Sequence, residues 1–422
     1  MDGVNHRFGQ AAEGEDLVLL DVTRLVELRW TGRLANGIDR VCLAYLHHFS
    51  SRAQAVVQHR GVIRVLSRSA SRRLFALLAD RRGRFVRYRL VLHLAAAVLR
   101  SHPPRPGSLY VNVSHTDYDL PAHVRWIERH DLRAAYLIHD LIPILHPAHC
   151  LPHAVGRHAN RVASALQHGA GIIVGSAAVA RDLRAHAAQM RLPCPPVAVA
   201  PLAGAALCPA APTPVDSDYF LCVGTIESRK NHGLLLNVWE RLRATPGLDV
   251  PRLVIVGRWG TGVGALRAAL AASGMAGCLI EIVEDCDDDA LATLMQGARA
   301  VLMPSLAEGF GLPMAEALAL GVPVIASDLS CFHEVGQGIP CLLDPRDVAG
   351  WTEKIAAFDG PASRRQRRID ALRGYCPPNW DDHFEQVAPW MATLARLPAS
   401  RRRSGNDQTA PADCPIDLGT AS

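Results

Sequence analysis

A chain of 422 residues and 45.6 kDa is too long for one compact core, so two domains of roughly 150 to 200 residues each are expected. Hydrophobic residues at 49% and charged residues at 20% give the balance of a folded globular protein and exclude a mostly disordered chain. The net charge of +5 comes from an arginine excess, Lys230 and Lys354 being the only lysines, and it suits acidic partners without identifying one.

The opening segment has no basic-then-apolar order, so no secretory signal is read there and a cytoplasmic location is expected. No run reaches the roughly 18 apolar residues of a spanning helix; residues 90–99 are too few and include His93. The eleven cysteines are scattered without a C-x-x-C pair and read as small buried hydrophobes, not as a disulfide framework or a zinc site.

From Leu17 onwards, short runs rich in Val, Ile and Leu alternate with longer helical stretches, the pattern of parallel sheets covered by helices. The predicted strands of the first half are 18–22, 109–113, 135–138, 172–174 and 197–200. Those of the second half are 219–223, 253–256, 279–283, 300–303, 322–326 and 341–343. The fold class is therefore α/β, with two Rossmann-like domains facing across a cleft. The expected divisions are an acceptor-side domain over 15–205, a nucleotide-binding domain over 216–375, a helix over 376–398 returning to the first domain, and a disordered tail over 399–422. Pro209, Pro212 and Pro214 mark the linker, because proline denies the chain a helix or central strand.

Open parallel sheets bind ligands beyond the carboxyl ends of their strands, so the informative residues follow strands. After the first strand comes TGRLANGIDRV, whose Gly32 and Gly37 have P-loop spacing; Ile38 and Asp39 stand where Lys and Ser/Thr are needed, which rejects a Walker site. Between Arg60 and Arg100, eleven arginines meet a single acid, Asp80. That stretch reads equally as a solvated helix face or as a surface for an anionic membrane; no nucleic-acid reading motif accompanies it. His115 and His139 each end a strand, where cleft residues emerge, and Ser176 before a helix reads as an N-cap. His146, His149, His153 and His158 straddle Pro147 and Pro152, match no metal-ligand spacing, and read as a loop. Asp117-x-Asp119 and Asp287-x-Asp289 fit a metal-binding D-x-D, but the second precedes a helix over 290–297 and reads as a cap. The glycines at 257, 260, 262 and 264 miss the dinucleotide spacing. No metal is expected.

The densest signal is VLMPSLAEGFGLPMAEALALGVPVIAS. Pro313 favours a helix start and Gly321 with Pro323 its end, so a helix over 313–320 is predicted, with Glu308 in the loop and Glu316 in the first turn. Gly309 and Gly311 let the loop pass close to a ligand, and the free amides at the helix start favour a phosphate. Two carboxylates beside such an anion site suit a sugar nucleotide, whose hydroxyls need acceptors and whose phosphates need donors; a cap plus a solvated carboxylate is the bland alternative.

The Glu308-x7-Glu316 arrangement with GFGLPMAEALALGVPVIASD resembles the retaining glycosyltransferases of family 4, which have the GT-B fold, and FLCVGTIESRKNHGLLLNVWERL resembles the opening of their nucleotide-binding domain. The likeness runs from about Leu17 to Phe384. It implies a hexose transferred from a nucleotide diphosphate donor, GDP-mannose by likeness to a bacterial surface-polysaccharide subgroup with a Gly-Ile-Asp-Arg-Val run, to a saccharide or polyprenyl-linked acceptor. By the same likeness Glu316 holds the ribose, Glu308 lies near the donor sugar, and Arg229 with Lys230 clamps the diphosphate. His115 contacts the donor sugar; Gly37, Arg40, His139, Gly309, Phe310, Gly311 and Leu312 line the donor site. No cofactor is implied. Many relatives carry an arginine where this chain has Thr225 after Gly224. The rival readings are a GT-B epimerase or phosphorylase, and a non-catalytic assembly partner or nucleotide-sugar sensor.

Overall fold

The computed structural model describes residues 18–80, 87–88, 90–91, 101–205, 207, 218–358 and 373–397. The first lobe is built on a seven-stranded sheet of β1 (Val18–Asp21), β2 (Ala53–His59), β3 (Val62–Val65), β4 (Leu109–Asn112), β5 (Arg133–Ile138), β6 (Gly171–Val174) and β7 (Val197–Val199). Their order is β3-β2-β1-β4-β5-β6-β7, and every pairing is parallel except β2 with β3. The second lobe holds β8 (Tyr219–Val223), β9 (Arg252–Val256), β10 (Ile280–Val283), β11 (Val301–Met303), β12 (Val324–Ser327) and β13 (Cys341–Leu343), all parallel in the order β10-β9-β8-β11-β12-β13. Helices cover both sheets, and this pair of doubly wound sheets is the GT-B fold.

The strands form where the sequence is apolar without alternation, because helices bury both faces of a parallel sheet. All residues of β1, β4, β5 and β6 are buried. Each sheet reverses its strand order once, between β1 and β4 in the first lobe and between β8 and β11 in the second. A crevice opens at the carboxyl ends flanking such a reversal, which fixes the place of a ligand site before any side chain is considered.

The hairpin β2–β3 was not expected from the sequence. Arg60 occupies its turn with φ 49°, Arg64 lies on the edge strand β3, and Arg68, Arg72 and Arg73 lie in the helix Arg68–Ala79. These arginines therefore belong to three different elements rather than to one basic face; Arg81, Arg82, Arg84, Arg89 and Arg100 fall outside the described residues. The stretch around the four histidines is likewise not a loop. It forms the helix Ile142–Leu145, a single 3-10 turn at Pro147–His149 and the helix Pro152–His168, with each proline in a first-turn position that does not need its missing N–H.

The chain returns to the first lobe through the helix Trp380–Ala395. Gly171 permits this: a Cβ there would lie 2.6 Å from Trp390 and 2.7 Å from Leu394. Phe384 stacks on His48 with ring centroids 3.9 Å apart, and His383 bonds to the Tyr45 hydroxyl at 2.9 Å and the Pro201 carbonyl at 3.0 Å. One apolar cluster runs from Leu20 and Val111 of the first lobe through Leu202 and Phe310 to Met303 and Met314 of the second, so the lobes share a core. The proline-rich linker and the tail beyond 397 lie outside the described residues.

Candidate functional site

Five loops converge on the two crevices. The segment after β1 leads into the helix Gly37–Phe49, whose start is fixed by a capping box between Asn36 and Asp39. Arg24 and Arg33 neutralise the fully buried Asp39 at 2.7 and 2.5 Å. That anchoring sets the direction of Arg40, which leaves the first lobe and meets the second: Nη1 donates to Glu316 Oε1 at 2.8 Å and Nη2 to Asp288 Oδ1 at 2.6 Å. Gly37 is needed for closeness, since a Cβ there would lie 3.1 Å from Leu312.

After β4, His115 takes a left-handed backbone with φ 63°, a conformation uncommon outside glycine and one that cleft residues often adopt. Its Nε2 accepts the His139 backbone N–H at 3.4 Å, so its proton sits on Nδ1. His139 follows β5 and bonds through Nε2 to the Val113 carbonyl at 2.9 Å; His158 bonds to the Asp140 carbonyl at 3.0 Å. The His115 ring lies 4.9 Å from that of His139 and 5.4 Å from that of His158. Burial, reinforced by the neighbouring histidines, holds His115 well below its ordinary pKa, and burial brings His139 to about 4. At neutral pH both are uncharged hydrogen-bonding groups rather than proton stores. His158, one of the four histidines expected in a loop, thus belongs to this cluster; among the described residues no group has the makings of a metal site.

In the second lobe, Arg229 and Lys230 follow β8 on a 3-10 turn, and Glu308 follows β11. They form one ion cluster. Glu308 Oε1 accepts from Lys230 Nζ and from Ser305 Oγ at 2.8 Å, while Oε2 accepts from Arg229 at 3.1 Å; Arg229 also pairs with Glu227 at 2.7 Å. Burial pushes the Glu308 carboxyl up, but Lys230 and then Arg229 outweigh it and bring the pKa to about 2. Gly224, at φ 140°, makes room for Lys230, whose Cε would lie 3.3 Å from a Cβ at that position.

The loop after Glu308 is pressed against the first lobe. A Cβ on Gly309 would fall 2.3 Å from the His139 carbonyl oxygen, and Ser176 Oγ donates to the Gly309 carbonyl at 2.9 Å while capping its own helix at Val179. The Phe310 ring is buried beside Gly175 and Leu202. Gly311, at φ 98°, caps the helix Leu312–Ala319. This helix begins one residue earlier than predicted, so Pro313 takes its second position and Glu316 stands beyond the first turn, buried to 3% exposure. Glu316 Oε1 also accepts the Ala205 N–H at 2.9 Å, and Gly204 is tight against its Cγ. Burial raises the Glu316 pKa, with Arg40 and Ala205 working against the rise. Sequence reasoning brought Glu308, Arg229, Lys230 and the glycine loop together. It did not assign Ser305, Glu227, Ala205 or the reach of Asp288: Ser305, Glu227 and Asp288 stand inside stretches already singled out, but their partners depend on how loops and lobes meet, and Ala205 acts through its backbone N–H.

With this geometry in hand, the likeness to known proteins is specific. Residues 217–358 match the family model for glycosyl transferases group 1. The match spans the second lobe and falls short of half the chain. The serotype-specific mannosyltransferase WbdA of Escherichia coli is 28% identical over 260 residues, covering 57% of this chain and 32% of that protein. The O-antigen chain mannosyltransferase B of the same organism is 35% identical over 130 residues, 31% of this chain and 34% of that one. The match thus spans about a third of the length of these curated relatives. The crystal structure of Anabaena HepE in complex with UDP and glucose superposes with a TM-score of 0.63 over 90% of this chain and 100% of that one, at 14% identity. The sucrose-phosphate synthase of Thermosynechococcus elongatus superposes with a TM-score of 0.61 over 90% and 99%, at 16% identity. These two establish the fold over 90% of the chain, and the group 1 match covers its second lobe.

Proposed function

We propose that the chain is a retaining hexosyltransferase that moves mannose from GDP-mannose to a polysaccharide or lipid-linked oligosaccharide acceptor, without a bound metal or other cofactor. The observation that carries the reading is the Glu308–Arg229–Lys230 cluster beside the start of the Leu312–Ala319 helix, in the lobe that the group 1 match spans, facing the first lobe across the gap. The mannosyltransferase names of the relatives support the sugar.

When the glycosidic bond to phosphate breaks, negative charge grows on the departing diphosphate. Two cations held in place by Glu308, together with backbone amides at the helix start, would stabilise that charge without reorganising. Glu316 would accept hydrogen bonds from the ribose. Neutral His115, protonated on Nδ1, would donate one to the donor sugar. The acceptor hydroxyl would attack from the face that the phosphate leaves, with that phosphate taking the proton.

No described helix is long and apolar enough to cross a membrane. Exposed Trp30, Leu34 and Tyr88 near Arg33 and Arg87 favour a peripheral contact with an anionic membrane, which would bring a lipid-linked acceptor to the first lobe. The test is a melting-shift panel of GDP-mannose, UDP-glucose and UDP-N-acetylglucosamine, followed by transfer to a mannosyl acceptor with the product anomer assigned by NMR. Stabilisation by GDP-mannose and an axial product linkage are expected. Conversion of the donor without lengthening of an acceptor would instead favour an epimerase or phosphorylase, and binding without turnover a sensor.

A further inference from the structure

The sequence assigns the acidic run Asp287–Asp289 to helix capping, and Asp287 alone does that, accepting the Ala290 N–H at 2.9 Å. Asp288 points elsewhere. Its carboxylate meets Arg40 from the other lobe, 248 residues away in the chain, and the same guanidinium meets Glu316, 276 residues away. Two carboxylates on two nitrogens of one planar fork fix the direction of that fork, which neither carboxylate would do alone and which a lysine ammonium could not reproduce. The Arg40 Nε is buried without a hydrogen-bond partner among the described residues, a cost that is hard to reconcile with an arginine kept for stability.

Glu316 needs such a partner. Its side chain is 1% exposed, and a carboxylate so placed is kept ionised only by compensating donors. Both of its bonded partners, Arg40 Nη1 and the Ala205 N–H, use Oε1. We infer that Asp288 and Arg40 are positioning residues for the nucleotide: Asp288 fixes Arg40, Arg40 fixes Oε1 of Glu316, and Oε2 is thereby presented to the ribose hydroxyls. The inference rests on the reading of Glu316 as the ribose ligand. Its consequence is that the ribose site of the second lobe is complete only when the first lobe is closed over it, so donor recognition and lobe closure are one event.

The experiment is isothermal titration of the full chain with GDP and with UDP, using wild type, Asp288→Asn, Asp288→Glu, Arg40→Gln and the double variant Asp288→Asn/Arg40→Gln. Asp288→Asn is expected to weaken binding of the preferred nucleotide roughly tenfold and Asp288→Glu less. Arg40→Gln is expected to weaken it further, and the double variant to bind no more weakly than Arg40→Gln, since Asp288 acts through Arg40. In steady-state assays, Asp288→Asn should raise the donor KM while leaving kcat within about twofold, a split that general damage to the fold would not give. Asp288 is 28% exposed, so its variants are expected to fold, and their melting temperatures report this. Unchanged binding in Asp288→Asn, or a double variant that loses the product of both single effects, overturns the inference alone. A wild type that binds neither nucleotide overturns the donor-site reading and this inference together.

Discussion

Glu308 shows how one residue can be placed by its neighbours' charge. Burial alone would favour its neutral form, yet Lys230, Arg229 and Ser305 bring its pKa to about 2. A carboxyl whose folded pKa lies below its ordinary value near 4.5 contributes stability that is fully present above that value and is lost as pH falls towards 2. Lys230→Met removes the largest lowering influence, so the acid loss of stability is expected to begin at a higher pH, as read from denaturant midpoints between pH 2 and 7. The same change removes one of two cations from the departing phosphate and is expected to reduce kcat by on the order of 10²- to 10³-fold. An unchanged kcat would place the diphosphate elsewhere. Gly204 makes a second case: a Cβ there would lie 2.5 Å from Glu316 Cγ, so Gly204→Ala is expected to push Glu316 off Arg40, raise the donor KM several-fold and lower the melting temperature, because a buried carboxylate loses its partner. These pairings could not be seen in the sequence. The glutamates, the basic pair and the glycine loop stand in local motifs, whereas the partner of Arg40 depends on how two lobes meet.

At the scale of elements, what the sequence revealed follows from burial. Interior parallel strands are unbroken apolar runs, and β8 and β13 match their predicted limits residue for residue. The β2–β3 hairpin escaped because polar residues interrupt its apolar pattern: Gln54, Gln58 and His59 stand in β2 and Arg64 in β3. The helix Trp380–Ala395 docks on the first lobe for a tertiary reason. Phe384, 5% exposed, stacks on His48 and meets Tyr45 and Phe49 edge-on. Phe384→Ala is expected to cost about 3 to 5 kcal/mol in chemical denaturation, because the rings around it cannot collapse into the gap. A cost below about 1 kcal/mol would mean that the helix is not docked through this ring.

The whole molecule is held closed by polar contacts around a shared apolar core. Arg40 reaches Glu316 and Asp288, Ser176 reaches Gly309, and His149 Nδ1 meets Ser228 Oγ at 2.8 Å. Glu334, on the helix Ser330–Gly336 of the second lobe, accepts the Ala177 and Ala178 N–H groups at 2.7 Å each, and so caps the first-lobe helix Ala177–Gln189 from across the gap. A carboxylate at a helix start contributes about 1 kcal/mol and is screened by salt. That energy is spent only in the closed arrangement, because opening the lobes separates the carboxylate from the amides. Glu334→Gln keeps the shape but removes the charge, so it should shift the open-to-closed balance roughly fivefold towards open. Small-angle scattering of the nucleotide-free protein measures this: the variant at low salt and the wild type at 1 M salt are both expected to show a larger radius of gyration than the wild type at low salt. Nucleotide should reverse the change, since it would bridge the same two lobes. Identical scattering in all three cases would mean that the shared apolar core holds the lobes together and that these charges set only the fine register between them.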